Sequence, residues 1–282
     1  MLAKLAPFLF VFLWSTGFLG AKFGLPHAEP LAFLFVRYLL VIGLMGSIAL
    51  VWRAPWPRAG RHWLHIGISG LLVHALYLGG VFMAISKGLP AGVTALVVGI
   101  QPLLTATVAG RLLGETVLPR QWGGLVLGFI GIALVVANKV GQGFALDALW
   151  PALAALVGIT CGTLYQKKFA PHFDWRSGSV AQFLPTAVVT GVIVFTADGF
   201  RIDWTGEFVF ALGWLVLVLS VGAISLLNWL IRHGSAVNVA SLFYLTPPTT
   251  ALLAWLLFGE TLTGTALAGM VLAVWGVYLS RR

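Results

Sequence analysis

The stretch LTPPTTALLAWLLFGETL, Leu245–Leu262, places two adjacent prolines in the middle of an apolar run that stops abruptly at Gly-Glu. Proline has no backbone N–H, and its ring clashes with the carbonyl four residues earlier, so it interrupts a helix. The stretch IQPLLTATVAGRLLGETV, Ile100–Val117, repeats this layout with a single proline. Pro102, Pro247 and Pro248 therefore predict two long helices that are both broken near their centres.

The composition around these stretches is that of a membrane protein. The 282 residues are 60% hydrophobic and 9% charged, with a mean hydropathy of +0.99, whereas soluble domains carry about 25% charged residues. Ten apolar segments are long enough to cross about 30 Å of hydrocarbon. They are Leu5–Leu25, Pro30–Trp52, Trp63–Ser86, Ala91–Leu113, Pro119–Asn138, Ala148–Lys168, Gly178–Ala197, Phe208–Ile231, Ser235–Phe258 and Thr263–Ser280. The sequence thus predicts an all-α protein with ten transmembrane helices.

The basic residues indicate the orientation of the chain. If the amino terminus is inside, 12 of the 17 Lys and Arg residues fall in the inside connections and tails, which predicts that both termini are cytoplasmic. These residues are scattered singly at segment ends, so the net charge of +9 does not indicate nucleic acid as a partner.

The single cysteine, Cys161, excludes an internal disulfide and is predicted to be a small buried residue.

An internal repeat relates the two halves of the chain. A shift of 145 residues places 87–135 on 232–280 with 15 identities in 49 positions, including the prolines and both Gly-Glu-Thr triplets. We therefore predict two five-helix repeats, 1–140 and 141–282, in a single integral membrane domain. Because five is odd, the second repeat enters the membrane from the opposite side, and the repeats are inverted. The first segment has a repeat partner, which favours a retained helix over a cleavable signal peptide.

The broken helices predict a transport cavity. A carbonyl freed by proline inside the bilayer is costly unless protein or a water-lined cavity satisfies it, and inverted repeats with interrupted helices are typical of secondary carriers. We expect the breaks at Pro102, Pro247 and Pro248 to face that cavity. The alternative is a pair of kinks that only improve packing.

Polar and aromatic side chains at the same depth are the candidate substrate-binding residues, namely Trp14, Ser15, His74, Tyr77, Gln101, Asn228 and Tyr244. We expect Gln101, Asn228 and the freed carbonyls to bind the polar end of a substrate. Trp14, Tyr77 and Tyr244 would receive its side chain or its ammonium group, the latter by cation–π attraction. His74 could hydrogen-bond a substrate carboxylate or take up a coupling proton. The alternative is a neutral buried histidine.

Other residues have a structural interpretation. Arg37 has Gln182 as its repeat partner, another planar donor, which favours a shared structural role. Glu115 and Glu260 end their segments and are expected to stabilise the amino terminus of the following helix. The spacings Gly124-x-x-x-Gly128 and Gly269-x-x-x-Ala273 predict close-packing faces, either within the chain or across a homodimer. The histidines form no ligand spacing, so we expect no metal, cofactor or catalytic residue.

Trp14-Ser15, Arg37 and the repeated pattern from proline to Gly-Glu, followed by Gly124/Gly131 and Gly269/Gly276, resemble the EamA family of the drug/metabolite transporter superfamily. The resemblance implies a ten-helix inner-membrane carrier whose central cavity is built from spans one to four and six to nine. It is closest in layout to exporters of aromatic and other neutral amino acids. The two repeats are not identical in this sequence. The first repeat has a single proline where the second has Pro247-Pro248, and the position of His74 in the first repeat corresponds to Leu219 in the second.

We therefore predict a secondary transporter that exports small amphiphilic metabolites, amino acids above all, by alternating access. Its expected partners are the small-molecule substrate and the lipid bilayer. One alternative is an uptake carrier or an exchanger of another small solute, and a non-transporting membrane scaffold is a second. A membrane enzyme is disfavoured, because no nucleophile–base pair or acidic cluster is visible in the sequence.

Overall fold

The apolar segments fold as helices because lipid offers no partner to an unpaired backbone N–H or C=O. In the computed structural model, which describes residues 2–140, 146–259 and 262–281, helices account for nearly all of the chain. Seven helices form the first half: α1 Leu2–Gly24, α2 Pro30–Val51, α3 Gly60–Gly70, α4 Gly79–Ser86, α5 Ala91–Val98, α6 Gln101–Leu113 and α7 Pro119–Val140. Seven form the second: α8 Leu149–Phe169, α9 Trp175–Ile193, α10 Gly206–Trp214, α11 Ile224–His233, α12 Ala236–Ser241, α13 Thr246–Phe258 and α14 Gly264–Ser280.

Short helical segments of other types join several of these into longer rods. A π-helical segment, Leu71–Leu78, connects α3 to α4, and another, Leu215–Ala223, connects α10 to α11. The 3₁₀ segment Leu242–Leu245 connects α12 to α13. The two π segments occupy nearly equivalent positions of the two halves, about 145 residues apart.

Within the described ranges, nine runs of helix are long and apolar enough to cross a membrane. They are Leu5–His27, Pro30–Val51, Gly60–Ser86, Ala91–Leu113, Pro119–Ala137, Leu146–Phe169, Trp175–Ala197, Gly206–His233 and Ala236–Leu257. The tenth predicted span corresponds to the shorter apolar helix α14, which has 17 residues. The all-helical, multi-pass membrane class is confirmed.

The outer surface of the bundle suits lipid. Large apolar side chains such as Phe8, Leu50 and Val271 are among the most exposed in the structure, as expected where hydrocarbon replaces water as the surrounding solvent. Cys161, on α8, also lies on this surface. The expectation that it is buried was wrong, because a small apolar side chain is as stable against lipid as inside a core.

The span that carries Pro102 and the span that carries Pro247 and Pro248 are both interrupted immediately before these prolines. α5 ends at Val98, where Gly99 N donates to Ala95 O at 2.8 Å and Ile100 N donates to Val97 O at 3.2 Å, before α6 begins at Gln101. α13 likewise begins at Thr246, after the 3₁₀ segment. The prolines therefore lie in the first turn of α6 and α13, where a backbone N–H has no intrahelical partner in any case.

Glycines bring α7 and α14 into backbone contact. A Cβ on Gly124 would lie 2.6 Å from Gly276 O, and a Cβ on Gly131 would lie 2.7 Å from Gly269 O. We call this contact the glycine seam. The two helices run antiparallel, since the earlier glycine of α7 meets the later glycine of α14. The predicted close-packing faces thus meet each other inside one chain.

Candidate functional site

A large cavity opens at the end of the bundle where α1 ends and α4 turns into α5. Its volume is about 710 Å³, and it is lined near its mouth by Lys22, Gly88 and Pro90. At its deep end it reaches Pro247 and Thr250, in the first two turns of α13. The interruption of this span therefore faces the cavity.

An aromatic layer lies beneath the deep end of this cavity. The Trp14 ring is 5.2 Å from Phe10, 5.2 Å from Phe243 and 6.1 Å from Tyr77 between ring centroids. Trp14 and Tyr77 are nearly parallel, with 14° between their planes. We define the aromatic layer as Phe10, Trp14, Tyr77 and Phe243, all of which are buried.

A second cavity, of about 550 Å³, opens at the other end of α1. Leu9 and Leu13 line it, together with Asp174, Asn228 and Arg232. The large and second cavities share no lining residue among those the structure describes. Hydrogen bonds from Arg176 hold the pKa of Asp174 below its ordinary value, so this carboxylate at the second cavity is ionised at neutral pH.

Ser15 connects α1 to the broken span. Its hydroxyl donates to Val11 O at 2.7 Å and to Thr246 O at 3.4 Å, and the Thr250 hydroxyl donates to Ser15 O at 3.4 Å. These bonds hold the start of α13 against the middle of α1. Ser15 therefore positions the wall of the large cavity, and its hydroxyl already has hydrogen-bond partners within the protein.

Asn228 belongs to a buried amide network. Gln166 Nε2 donates to Asn228 Oδ1 at 3.0 Å, and Asn228 Nδ2 donates to Gln182 Oε1 at 3.3 Å. The Gln182 amide donates in turn to Gln166 Oε1 and to Ser69 Oγ, both at 3.1 Å. Asn228 also lines the second cavity, so the structure places it on the far side of the aromatic layer from the large cavity.

Gln101 lies apart from the large cavity as well. It lines a small cavity of about 10 Å³ with Thr163 and Lys167, and its Oε1 has no hydrogen-bond partner in the described part of the chain. The structure therefore does not bring Gln101 and Asn228 together with Trp14 and Tyr77 around one open space, as the sequence had suggested.

His74 and Tyr244 line none of the cavities described above. The His74 ring stacks on Phe183 with 4.1 Å between centroids, and the Tyr38 hydroxyl donates to the His74 carbonyl at 2.8 Å. Tyr244 packs its ring against Gly128 of α7. Its neighbour Phe243 is the residue that reaches Trp14.

Only 1% of the surface of Arg37 is exposed. Its Nε donates to Ser220 Oγ at 3.1 Å, whereas both terminal nitrogens lack a partner among the described residues. The guanidinium lines a cavity of about 30 Å³ whose wall also includes Trp14 and Tyr77. The structure thus places Arg37 beside the aromatic layer.

Glu115 stabilises a helix terminus in the other half of the chain. Its carboxylate accepts from Ala236 N at 2.9 and 3.0 Å, at the start of α12, and lies 3.7 Å from Lys167 Nζ. Lys167 also donates to the carbonyls of Ile231 and Gly234. The sequence predicts this carboxylate at the amino terminus of α7, whereas the structure places it at the amino terminus of α12. Glu260 lies outside the described residues.

Sequence reasoning missed Phe10, Phe243 and Gln166. Phe10 lies four residues before Trp14 and so shares its helical face, which is a usable signal. Phe243 is one of many apolar residues in its segment, and nothing in its type distinguishes it. In the described ranges, no three His, Cys, Asp or Glu side chains are grouped as a metal site would need.

Comparison with known proteins adds to this geometry. The sequence matches the EamA-like transporter family over residues 1–137 and 148–282, which confirms the resemblance seen in its motifs. A probable amino-acid metabolite efflux pump of Salmonella typhimurium is 29% identical over 96% of this chain and 92% of its own length. The uncharacterized transporter YvbV of Bacillus subtilis is 30% identical over 98% of this chain and 90% of its own. One crystal structure superposes with a TM-score of 0.79 over 99% of this chain and 96% of its own, at 22% identity, and this likeness concerns the fold alone.

Proposed function

Because this chain belongs to the EamA-like transporter family, we propose that it is a secondary transporter that exports small amphiphilic metabolites, amino acids in particular, by alternating access. The observation that carries the proposal is the pair of cavities at opposite ends of α1, separated by the aromatic layer. A carrier needs access from each side and a barrier between them. Opening and closing this layer would connect the binding region to one side at a time.

The glycine seam supports two inverted repeats, 1–140 and 141–282. The shift of 145 residues converts Gly124 into Gly269 and Gly131 into Gly276, so the contact of Gly124 with Gly276 is equivalent to that of Gly269 with Gly131. Reciprocal contacts of this kind are expected when a two-fold axis relates two units. Because the helices are antiparallel, the axis would lie in the membrane plane, as in carriers that exchange the roles of their halves.

We place both termini in the cytoplasm and the protein in the cell's inner membrane. With this orientation, the large cavity would open to the outside and the second cavity to the cytoplasm. The predominance of Lys and Arg on the inside connections supports it. The contacts of Glu115 and Lys167 would then help to close the part of the cytoplasmic end beside Gln101.

The chemistry of the binding region favours an amphiphilic solute. Trp14 and Tyr77 offer aromatic faces to an apolar side chain or an ammonium group, and the break before Pro247 leaves backbone groups at the wall. A relative described as a probable amino-acid metabolite efflux pump matches almost the whole chain, which supports amino acids as the substrate class. Asn228 would reach the substrate from the second cavity, which it lines. Gln101 lines only a small cavity and would reach the substrate after this part of the cytoplasmic side opens.

The test is exchange by purified protein in liposomes. Vesicles loaded with unlabelled phenylalanine should take up labelled phenylalanine far faster than protein-free vesicles. Cells that overproduce the protein should also resist toxic aromatic amino-acid analogues, and the Gln101→Ala variant should be less resistant. Resistance that is equal in both would remove Gln101 from the site. Protein that exchanges no amino acid would leave the substrate proposal without support.

The two alternatives give different results in these assays. An uptake carrier would make overproducing cells more sensitive to the analogues, since the analogues would accumulate inside. A scaffold would exchange no solute of any class in liposomes.

A further inference from the structure

Arg37 is a buried cation that the fold leaves only partly bonded. A guanidinium stays charged in proteins and carries five N–H donors. Only Nε of Arg37 has a partner, the hydroxyl of Ser220 at 3.1 Å, and the terminal nitrogens have none among the described residues. All eight Asp and Glu residues of the sequence lie in connections or at segment ends, so no span supplies a counter-ion at its centre. A buried charge of this kind is costly and is a functional hypothesis by default.

Gln182, the repeat partner of Arg37, shows what a purely structural role looks like. Its amide donates to Ser69 Oγ and to Gln166 Oε1, and its oxygen accepts from Asn228 Nδ2. The position in the second half is thus bonded through both amide atoms, whereas Arg37 has its two terminal nitrogens left over. This difference indicates that the terminal nitrogens of Arg37 are available to a hydrogen-bond acceptor from outside the chain.

A series of cavities with shared walls connects Arg37 to the large cavity. Phe18, Trp14 and Tyr77 line both the cavity of about 30 Å³ at Arg37 and a neighbouring cavity of about 10 Å³. Ala95 and Pro247 line that neighbouring cavity and the large cavity. The Trp14–Tyr77 pair therefore stands between the guanidinium and the open space.

We propose that Arg37 binds the carboxylate of the transported substrate. This inference rests on the proposed export of amino acids and specifies which end of the substrate is recognised, and where. The two terminal nitrogens match the two carboxylate oxygens as a bidentate pair, while Trp14 and Tyr77 contact the rest of the molecule. A space of about 30 Å³ holds little more than one water. The carboxylate can enter only when Trp14 and Tyr77 move apart, which couples its binding to opening of the aromatic layer.

The experiment measures competition against labelled phenylalanine exchange in proteoliposomes. The competitors are phenylalanine and phenylalaninamide, which keeps the ring and the amino group but lacks the carboxylate. In the wild type, the amide should compete about 10- to 100-fold more weakly, the range expected for losing hydrogen bonds to a charged group. In Arg37→Gln, the affinity for phenylalanine should fall by a similar factor, while that for the amide changes by less than about twofold.

Two control variants separate Arg37 from its surroundings. Ser220→Ala removes the partner of Nε but leaves the terminal nitrogens, and it should retain most of the preference for phenylalanine. Lys22→Gln removes the basic residue at the mouth of the large cavity and should also retain it. Loss of the preference in Lys22→Gln but not in Arg37→Gln would overturn the inference.

The wild-type measurement keeps the inference testable even if Arg37→Gln does not fold. A wild type that exchanges phenylalanine but is inhibited equally by phenylalaninamide would overturn the role of Arg37 and leave the proposed transport intact. A wild type that exchanges no amino acid would overturn the proposed function itself.

Discussion

Single residues at the centre of the bundle act through the contacts that burial imposes on them. Trp14 contacts Phe10, Tyr77 and Phe243 at once, so one indole closes most of the aromatic layer. Glu115 links the two halves of the chain at one end through the backbone of Ala236 and the side chain of Lys167. Each of these residues has a counterpart of the same type elsewhere that lacks the contact and can serve as a control.

Replacing Trp14 tests the aromatic layer. We expect Trp14→Ala to lower the initial rate of phenylalanine exchange at least about tenfold, because the ring that receives the substrate is lost. Truncating a buried tryptophan also costs about 3–5 kcal/mol of stability, so rates should be normalised to folded protein. Trp150→Ala is the control, since that side chain is 73% exposed on the outer surface. A wild-type rate in Trp14→Ala would show that Trp14 does not receive the substrate.

Replacing Glu115 tests the closure of the end opposite the large cavity. Glu115→Gln keeps the size of the side chain but removes its charge, and hydrogen bonds to charged groups contribute about 1.5–3 kcal/mol. Ala240 is buried and lines the small cavity that contains Gln101 and Lys167. In a Cys161→Ser background, a cysteine at Ala240 should react about tenfold faster with a water-soluble maleimide when Glu115→Gln is added. Glu207→Gln is the control, because its exposed carboxylate pairs with His27 near the other end. Equal reaction rates in all three proteins would contradict this role.

At the level of helices, the fold depends on interruptions and on close contacts as much as on length. A break precedes the prolines at the start of α6 and of α13, and the π segments Leu71–Leu78 and Leu215–Ala223 interrupt two further spans. The breaks could be predicted, because proline has a defined effect on backbone bonding. The π segments could not, because a segment that is apolar on all sides shows no change of period when one residue is inserted.

The glycine seam can be tested by adding one methyl group. A Cβ at Gly131 would lie 2.7 Å from Gly269 O, so Gly131→Ala forces α7 and α14 apart. Overpacking of this kind costs about 1–3 kcal/mol, and the midpoint of thermal unfolding in detergent should fall accordingly. Gly123→Ala in the same helix meets nothing within 4 Å and should leave the midpoint unchanged or raise it slightly. Equal midpoints for both variants would mean that the seam does not hold the helices together.

At the level of the whole molecule, the sequence predicted the class and the element order better than the site. Hydropathy located the spans because lipid constrains length and composition strongly. The partners of Glu115 and Asn228, by contrast, lie on helices far away in sequence, and only the packed bundle brings them together. Arg37 was assigned a structural role because sequence position says nothing about which of its nitrogens find partners.

The orientation of the halves is testable with the full chain. If both termini are cytoplasmic, epitope tags on each should resist added protease in spheroplasts and be cleaved in inside-out vesicles. A tag inserted between Lys87 and Gly88, at the turn that lines the mouth of the large cavity, should give the opposite pattern. Termini on opposite faces would require an odd number of crossings and would refute the inverted arrangement.

The seam between α7 and α14 has a consequence for how this protein can change over generations. Gly124 and Gly131 face Gly276 and Gly269 directly, so a bulkier residue at these positions of either helix collides with the backbone of the other. Under the proposed duplication, the two repeats differ at positions such as Arg37 and Gln182, but along the seam each helix constrains the other. Along this contact, a substitution in one helix therefore limits which residues the other helix can accept.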